Sequence, residues 1–204
     1  MKTFNKTLIA AATLTAFGLA AAPAAVALDA SASVSTSYLF RGAEQGEGMG
    51  GAAVAVDLSD SAMGVTYGVW ISSGAGVTEH DYYASYAGSV GEIGYELGYV
   101  DYNYGRLAGV DLEMDMDETY VSLSYGPLSV AQYEDSGSTA DYTVVSYEAG
   151  AYSISYGEIT NGDGVNTNHT DVSYSVNDSL SLTVSDTDTD NSDVVFVATY
   201  SLPF

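Results

Sequence analysis

The chain has 204 residues, with four Lys+Arg against 27 Asp+Glu, a formal charge of −23 and no cysteine. The missing cysteines exclude disulfides, thiolate metal centres and a thiol nucleophile. The scarcity of cations excludes nucleic acid as a partner, and 47% apolar residues exclude an acidic disordered tail.

Lys2 and Lys6 open the chain, followed by an apolar run from Leu8 to Ala22 and then Ala25-Val26-Ala27. That order of basic, apolar and small residues is a secretory signal. A membrane-spanning helix is the competing reading, but the run is mostly alanine and ends in a cleavage-like site without a basic stop. Cleavage is expected after Ala27, with Ala30 as the second choice, giving a signal segment 1–27 and one domain 28–204. Beyond residue 27 the cations are Arg41 and Arg106. No later run approaches the roughly 18 apolar residues a helical span needs.

From Ala32 onward the sequence alternates with period two. Val34, Thr36, Tyr38 and Phe40 oppose Ser33, Ser35, Ser37 and Arg41. Val54, Val56 and Leu58 oppose Ala53, Ala55 and Asp57; Val65, Tyr67, Val69 and Ile71 oppose Thr66, Gly68, Trp70 and Ser72. The pattern recurs to the last segment, where Val194, Phe196, Ala198, Tyr200, Leu202 and Phe204 share a face. Successive strand side chains point to opposite faces, so each segment is a strand with one apolar and one polar face. Twelve strands are expected near 31–41, 51–59, 64–73, 79–88, 91–102, 117–126, 127–135, 140–149, 150–159, 167–176, 179–186 and 193–204. The faces of 79–88 are ambiguous. Short links, at Asp60–Met63, Ser89–Val90, Gly126-Pro127, Ala149-Gly150 and Asn177-Asp178, alternate with long ones. An even strand number with alternating links predicts an all-β fold: a 12-stranded antiparallel up-and-down transmembrane β-barrel.

A water-soluble barrel turns its apolar face inward and carries lysine and glutamate outside. Here the polar face is mostly Ser, Thr, Gly and Ala with a minority of acids, which suits a narrow interior. The apolar positions of these segments bear no charge, as a lipid-facing wall requires, since a charge at the midplane there costs about 2–4 kcal/mol. Many of the 18 tyrosines fall near strand ends, where an aromatic girdle meets headgroups. The C-terminal run Tyr200-Ser-Leu-Pro-Phe204 alternates back from a terminal Phe and resembles the final-strand signal of outer-membrane barrels.

Ser35-Thr-Ser-Tyr-Leu-Phe-Arg-Gly42, followed by Glu44-Gln45, resembles the first-strand motif of the TorF-type porin family. The likeness continues through Gly68-Val69-Trp70-Ile71-Ser72-Ser73, Glu79-His80-Asp81-Tyr82-Tyr83 and Gly94-Tyr95, so it covers the first half of the chain by motif and the rest by strand spacing. The family's usual Asp before the tyrosine is missing at Ser37, and Glu44-Gln45-Gly46 stands where the family has a Ser-Gln pair. The resemblance implies a porin and names no solute.

The expected function is a narrow outer-membrane channel for small solutes, with cation preference from an acidic lumen. Candidate pore-lining residues are Arg41, Asp57, Trp70, Glu92, Glu96, Glu118, Glu148 and Asp171. Arg41 is expected either to neutralise a buried acid or to pair with a facing glutamate at a constriction. A barrel without an open pore is the alternative. No organic cofactor is expected; Asp186, Asp188, Asp190 and Asp193 form a D-x-D-x-D run whose spacing suits Ca²⁺. Solvated charge competes with that reading, because the sixth position is Asn191 and the twelfth Val197, where a full calcium loop has Gly and Glu. His80 and His169 are the only imidazoles, no spacing singles out a triad, and both read as rim histidines, so no enzyme is expected. Expected partners are outer-membrane lipid and lipopolysaccharide, the barrel-assembly machinery reading Phe204, and small solutes or cations.

Overall fold

The computed structural model describes residues 28–45, 52–74, 77–105, 116–138, 140–162, 166–188 and 194–204. Its elements are β1 (Asp29–Ser35), β2 (Tyr38–Phe40), β3 (Ala43–Gln45), β4 (Ala53–Ala62), β5 (Val65–Gly74), β6 (Val77–Val90) and β7 (Ile93–Tyr104). The second half adds β8 (Met116–Tyr125), β9 (Leu128–Asp135), β10 (Asp141–Ala149), β11 (Tyr152–Thr160), β12 (Asn166–Ser175), β13 (Leu180–Thr187) and β14 (Val195–Pro203). Twelve of them, β1 and β4 to β14, form one closed antiparallel barrel in which each strand pairs with its sequence neighbours. β1 seals the wall against β14 through pairs such as Val34↔Tyr200 and Ser33↔Ser201. Closure leaves no unpaired edge, the condition for exposing a sheet to hydrocarbon.

The short links keep their places within two residues: Asp60–Met63 tightens from four residues to two, Ser89–Val90 moves on to Gly91-Glu92, and Asn177-Asp178 widens to the four residues between Ser175 and Leu180. β4 and β6 stay paired through Ala62 and Val90, so two-residue turns at Met63-Gly64 and Gly91-Glu92 suffice. Met63 and Gly64 both have positive φ, 55° and 82°, the geometry whose twist matches a hairpin. In the β12–β13 link the Asn177 side-chain oxygen accepts from the N–H groups of Ser179 and Leu180, each at 2.9 Å, fixing the bend locally.

The alternation sorts as the sequence predicts. Val54, Tyr67, Leu97, Val121, Val145, Ile154, Leu182 and Tyr200 stand exposed on the outer wall, an apolar surface whose natural solvent is hydrocarbon. The ambiguous β6 is settled: Tyr82 and Tyr86 are exposed outside, while Glu79 and Asp81 are buried inside. The tyrosines divide into two sets. Tyr67, Tyr95, Tyr125, Tyr147, Tyr152 and Tyr174 lie on the outer face close to the short turns, whereas Tyr83, Tyr102, Tyr120, Tyr133 and Tyr142 point inward.

The expected first strand, 31–41, is corrected. The wall strand ends at Ser35; Thr36 then exchanges hydrogen bonds with Ala198, both at 3.0 Å. Residues 38–45 turn back as a separate two-stranded hairpin, with Tyr38↔Gln45, Leu39↔Glu44 and Phe40↔Ala43 paired around Arg41-Gly42. Arg41 and Gly42 have φ of 49° and 81°, a primed turn that reverses the chain in two residues. Tyr38 and Phe40, which a continued strand would have aimed at lipid, enter the barrel instead. Because Ser35 pairs with Ala53 and Thr199, the hairpin folds in from the long-link rim.

Candidate functional site

The hairpin crosses the barrel interior and is held by side chains from several walls. Tyr38 donates its hydroxyl hydrogen to Glu79 Oε2 on β6 at 2.7 Å and packs its ring 5.9 Å from Trp70 on β5. Phe40 meets Tyr102 of β7 edge to face at 6.1 Å. At the tip, the Arg41 guanidinium donates to both oxygens of Glu118 on β8, at 2.8 and 2.5 Å, and Tyr102 donates to the same carboxylate at 3.1 Å. Opposite, the Gly42 carbonyl accepts from Thr187 on β13 at 2.7 Å. Ser37 ties the hairpin to itself by donating to Glu44 at 2.5 Å.

Aromatic rings surround the ion pair. Arg41 lies 4.2 Å from the Tyr142 centroid, 5.3 Å from that of Tyr133 and 4.8 Å from that of Phe40, positions where the ring faces favour a cation. Tyr120, Tyr133, Tyr142 and His169 form a chain of ring contacts at 5.0, 5.7 and 5.8 Å along the wall. His169 adds two polar contacts: its Nε2 hydrogen-bonds the Tyr142 hydroxyl at 2.9 Å, and its Nδ1 lies 3.2 Å from Asp171 without hydrogen-bond geometry. Glu118 is 1% exposed, Tyr102 2% and His169 2%, so the interior is packed at this level. Burial alone would lower the Arg41 guanidinium; hydrogen bonding to Glu118 and that carboxylate's charge outweigh it and hold the group above its ordinary value. Burial first, then the Glu79 carboxylate, push the Tyr38 phenol well up.

Glycines make room for these rings. Tyr83 lies over Gly68, Tyr120 over Gly98 and His169 over Gly157, each directly opposite in the register. A Cβ added to Gly157 would sit 2.1 Å from His169 Nε2, and one added to Gly42 would sit 2.2 Å from His169 Cβ. Laid flat across a glycine, each ring brings its polar tip to a partner: Tyr83 donates to Asp57 at 3.1 Å and Tyr120 to Glu96 at 2.7 Å.

The expected pore-lining set therefore splits. Arg41 and Glu118 form the pair at the centre; Trp70, Asp57, Glu96 and Asp171 face inward, each engaged as described. Glu92 and Glu148 lie outside the packed interior, Glu148 on the inward parity of β10 at its mouth. Glu92 sits in the β6–β7 turn and Glu148 two residues before Gly150, both exposed at the short-turn rim, because each strand ends there. His169, expected at a rim, is deep inside, while His80 lies half-buried on the outer side of β6 near the long-link rim. Asp186 and Asp188 are exposed at the end of β13, and Asp190 and Asp193 lie outside the described residues. Among the described residues no group of three or more His, Asp or Glu is placed to hold a metal ion. Tyr38, Gly42, Glu79, Asp81, Tyr102, Tyr133 and Tyr142 were not legible as site residues; the one available signal was the Arg-Gly pair, a primed-turn sequence inside a presumed strand.

No family model matches the chain, and no curated protein matches it. Among solved structures, the KdgM porin is similar with a TM-score of 0.52 at 12% identity, over 87% of this chain and 97% of that one. A membrane protein from a study of in-meso crystallisation has a TM-score of 0.53 at 9% identity, covering 86% of this chain and 84% of the other. Outer membrane phospholipase A from Escherichia coli follows at TM-score 0.47 and 13% identity, over 85% and 91%. At these identities the likeness to the first two structures supports the barrel fold and leaves activity to the site.

Proposed function

We propose that the protein is an outer-membrane barrel of the porin type, passing small solutes with cation preference along a narrow path controlled by the infolded hairpin 38–45. The observation that carries this reading is the hairpin's attachment. It forms its own two-stranded sheet and meets the wall mainly through side chains, above all Arg41 on Glu118. Such a segment can shift without breaking a barrel strand. Below it, toward the short turns, the interior is lined by half-buried Ser124, Ser129, Ser146, Ser153, Ser155 and Ser173, a hydroxyl surface that water wets. The remaining interior charge is acidic, which favours cations. The apolar wall, whose acids lie toward its rims, the secretory signal pattern, the terminal Phe204 and the TorF-type motifs support placement in the outer membrane and assembly by the machinery that reads such C-termini.

Planar-bilayer recording of folded protein tests this. Wild type is expected to give small cation-selective steps, and Arg41→Ala larger ones as the hairpin loses its anchor. Absence of steps from both would remove the channel and leave the second reading, a closed structural barrel, which the packing around Tyr102 and Glu118 favours.

A further inference from the structure

The Glu79-His80-Asp81 run has a role that conduction does not use. Glu79 and Asp81 are two residues apart on β6 and face inward together, with His80 on the opposite side. Glu79 is 2% exposed and Asp81 6%. One oxygen of each, Glu79 Oε1 and Asp81 Oδ1, is buried with no hydrogen-bond partner. The other Glu79 oxygen accepts from Tyr38 of the hairpin, and the Tyr104 phenol of β7 also hydrogen-bonds this carboxylate. Among the described residues the one strong cation, Arg41, is engaged with Glu118, and the inward histidine, His169, stands beside Asp171. A buried carboxylate oxygen without a donor is costly, and two sharing one strand face repel each other as well. The pair needs positive charge, and the donors are all hard oxygens.

We infer that Glu79 and Asp81 bind a divalent hard cation, Ca²⁺ or Mg²⁺, beneath the hairpin's Tyr38. Two carboxylate charges balance one divalent ion. A set of two protein carboxylates suits a cation that keeps several of its waters. Seated there, the ion draws together β6 and, through Glu79, the base of the hairpin, so occupancy steadies the segment proposed to control the path. The site goes beyond the channel reading and is measured without it.

The test is calorimetric titration of refolded full-length protein in detergent with CaCl₂, and separately with MgCl₂, at constant ionic strength. Wild type is expected to bind one ion per chain. Asp81→Asn should weaken binding by about tenfold or more, and Glu79→Gln/Asp81→Asn should abolish it, with circular dichroism confirming that each variant is folded. Mg²⁺ binding as tight as Ca²⁺ would mark a largely hydrated ion; Ca²⁺ preference would mark direct ligation. Saturable heat retained in the double variant but lost in Asp188→Ala would move the cation to the loop and overturn the site. No saturable heat in wild type overturns it too, a shared proton then supplying the charge. A silent bilayer with intact Ca²⁺ binding would sink the channel alone.

Discussion

The two ends of the barrel interior are built on different rules. Toward the long links, buried Tyr102, Tyr133, Tyr142 and His169, half-buried Tyr120 and the largely half-buried hairpin fill the space around one ion pair. Toward the short turns, the same strands present Ser124, Ser129, Ser146, Ser153 and Ser173, half-buried and small. One wall of constant strand number thus encloses a packed layer and a hydroxyl-lined cup, the difference lying in side-chain volume alone. A barrel of this size is narrow enough for a few rings to fill it.

The comparison can be broken most directly at its centre. Arg41→Ala leaves Glu118 buried without its partner and should cost about 3–5 kcal/mol in denaturant unfolding of vesicle-inserted protein. Arg41→Ala/Glu118→Ala should recover much of that loss, because no unpaired charge remains; equal losses in both would show that the ion pair does not anchor the layer. The outer wall comes next. Val121→Arg should cost about 2–4 kcal/mol in the same assay, and an unchanged midpoint would mean that water touches this face.

Smaller effects sharpen the contrast between layer and cup. Gly157→Ala pushes a methyl into His169 and should cost about 1–3 kcal/mol, read as a lowered unfolding midpoint. Ser124→Ala and Ser146→Ala, in the cup, should each stay within about 0.5 kcal/mol. If the serines cost as much as Gly157→Ala, the cup is as tightly packed as the layer and the distinction fails.

Much of the wall was readable in advance. Period two identified both faces in strands such as Val65–Ile71 and Thr119–Tyr125, because the side-chain period of a strand is a local property. The interior site was only partly readable. Arg41 and Glu118 were both named, and their pairing was among the outcomes weighed, but 77 residues separate them and no local pattern joins them. The hairpin escaped because Tyr38, Phe40 and Arg41 continue the alternation of β1 without a break, and the positive φ of Arg41 shows only in three dimensions. His169 reads as a rim residue in the sequence because it lies near the start of the expected strand 167–176 and no spacing ties it to a partner, whereas strand register brings it over Gly157 and against Tyr142. Glu92 and Glu148 failed for the opposite reason: correct parity does not tell how near a strand end a residue lies.

What the sequence by itself determined is the wall: strand number, which side is apolar, and a middle band of that side without charge, all consequences of alternation repeated along the chain. The tertiary structure alone decided what fills the wall. Closure brings β8, β12 and β13 around the returning hairpin, and which carboxylate meets Arg41, which stays unpartnered on β6 and which ring lies over which glycine depend on register between strands far apart in the chain.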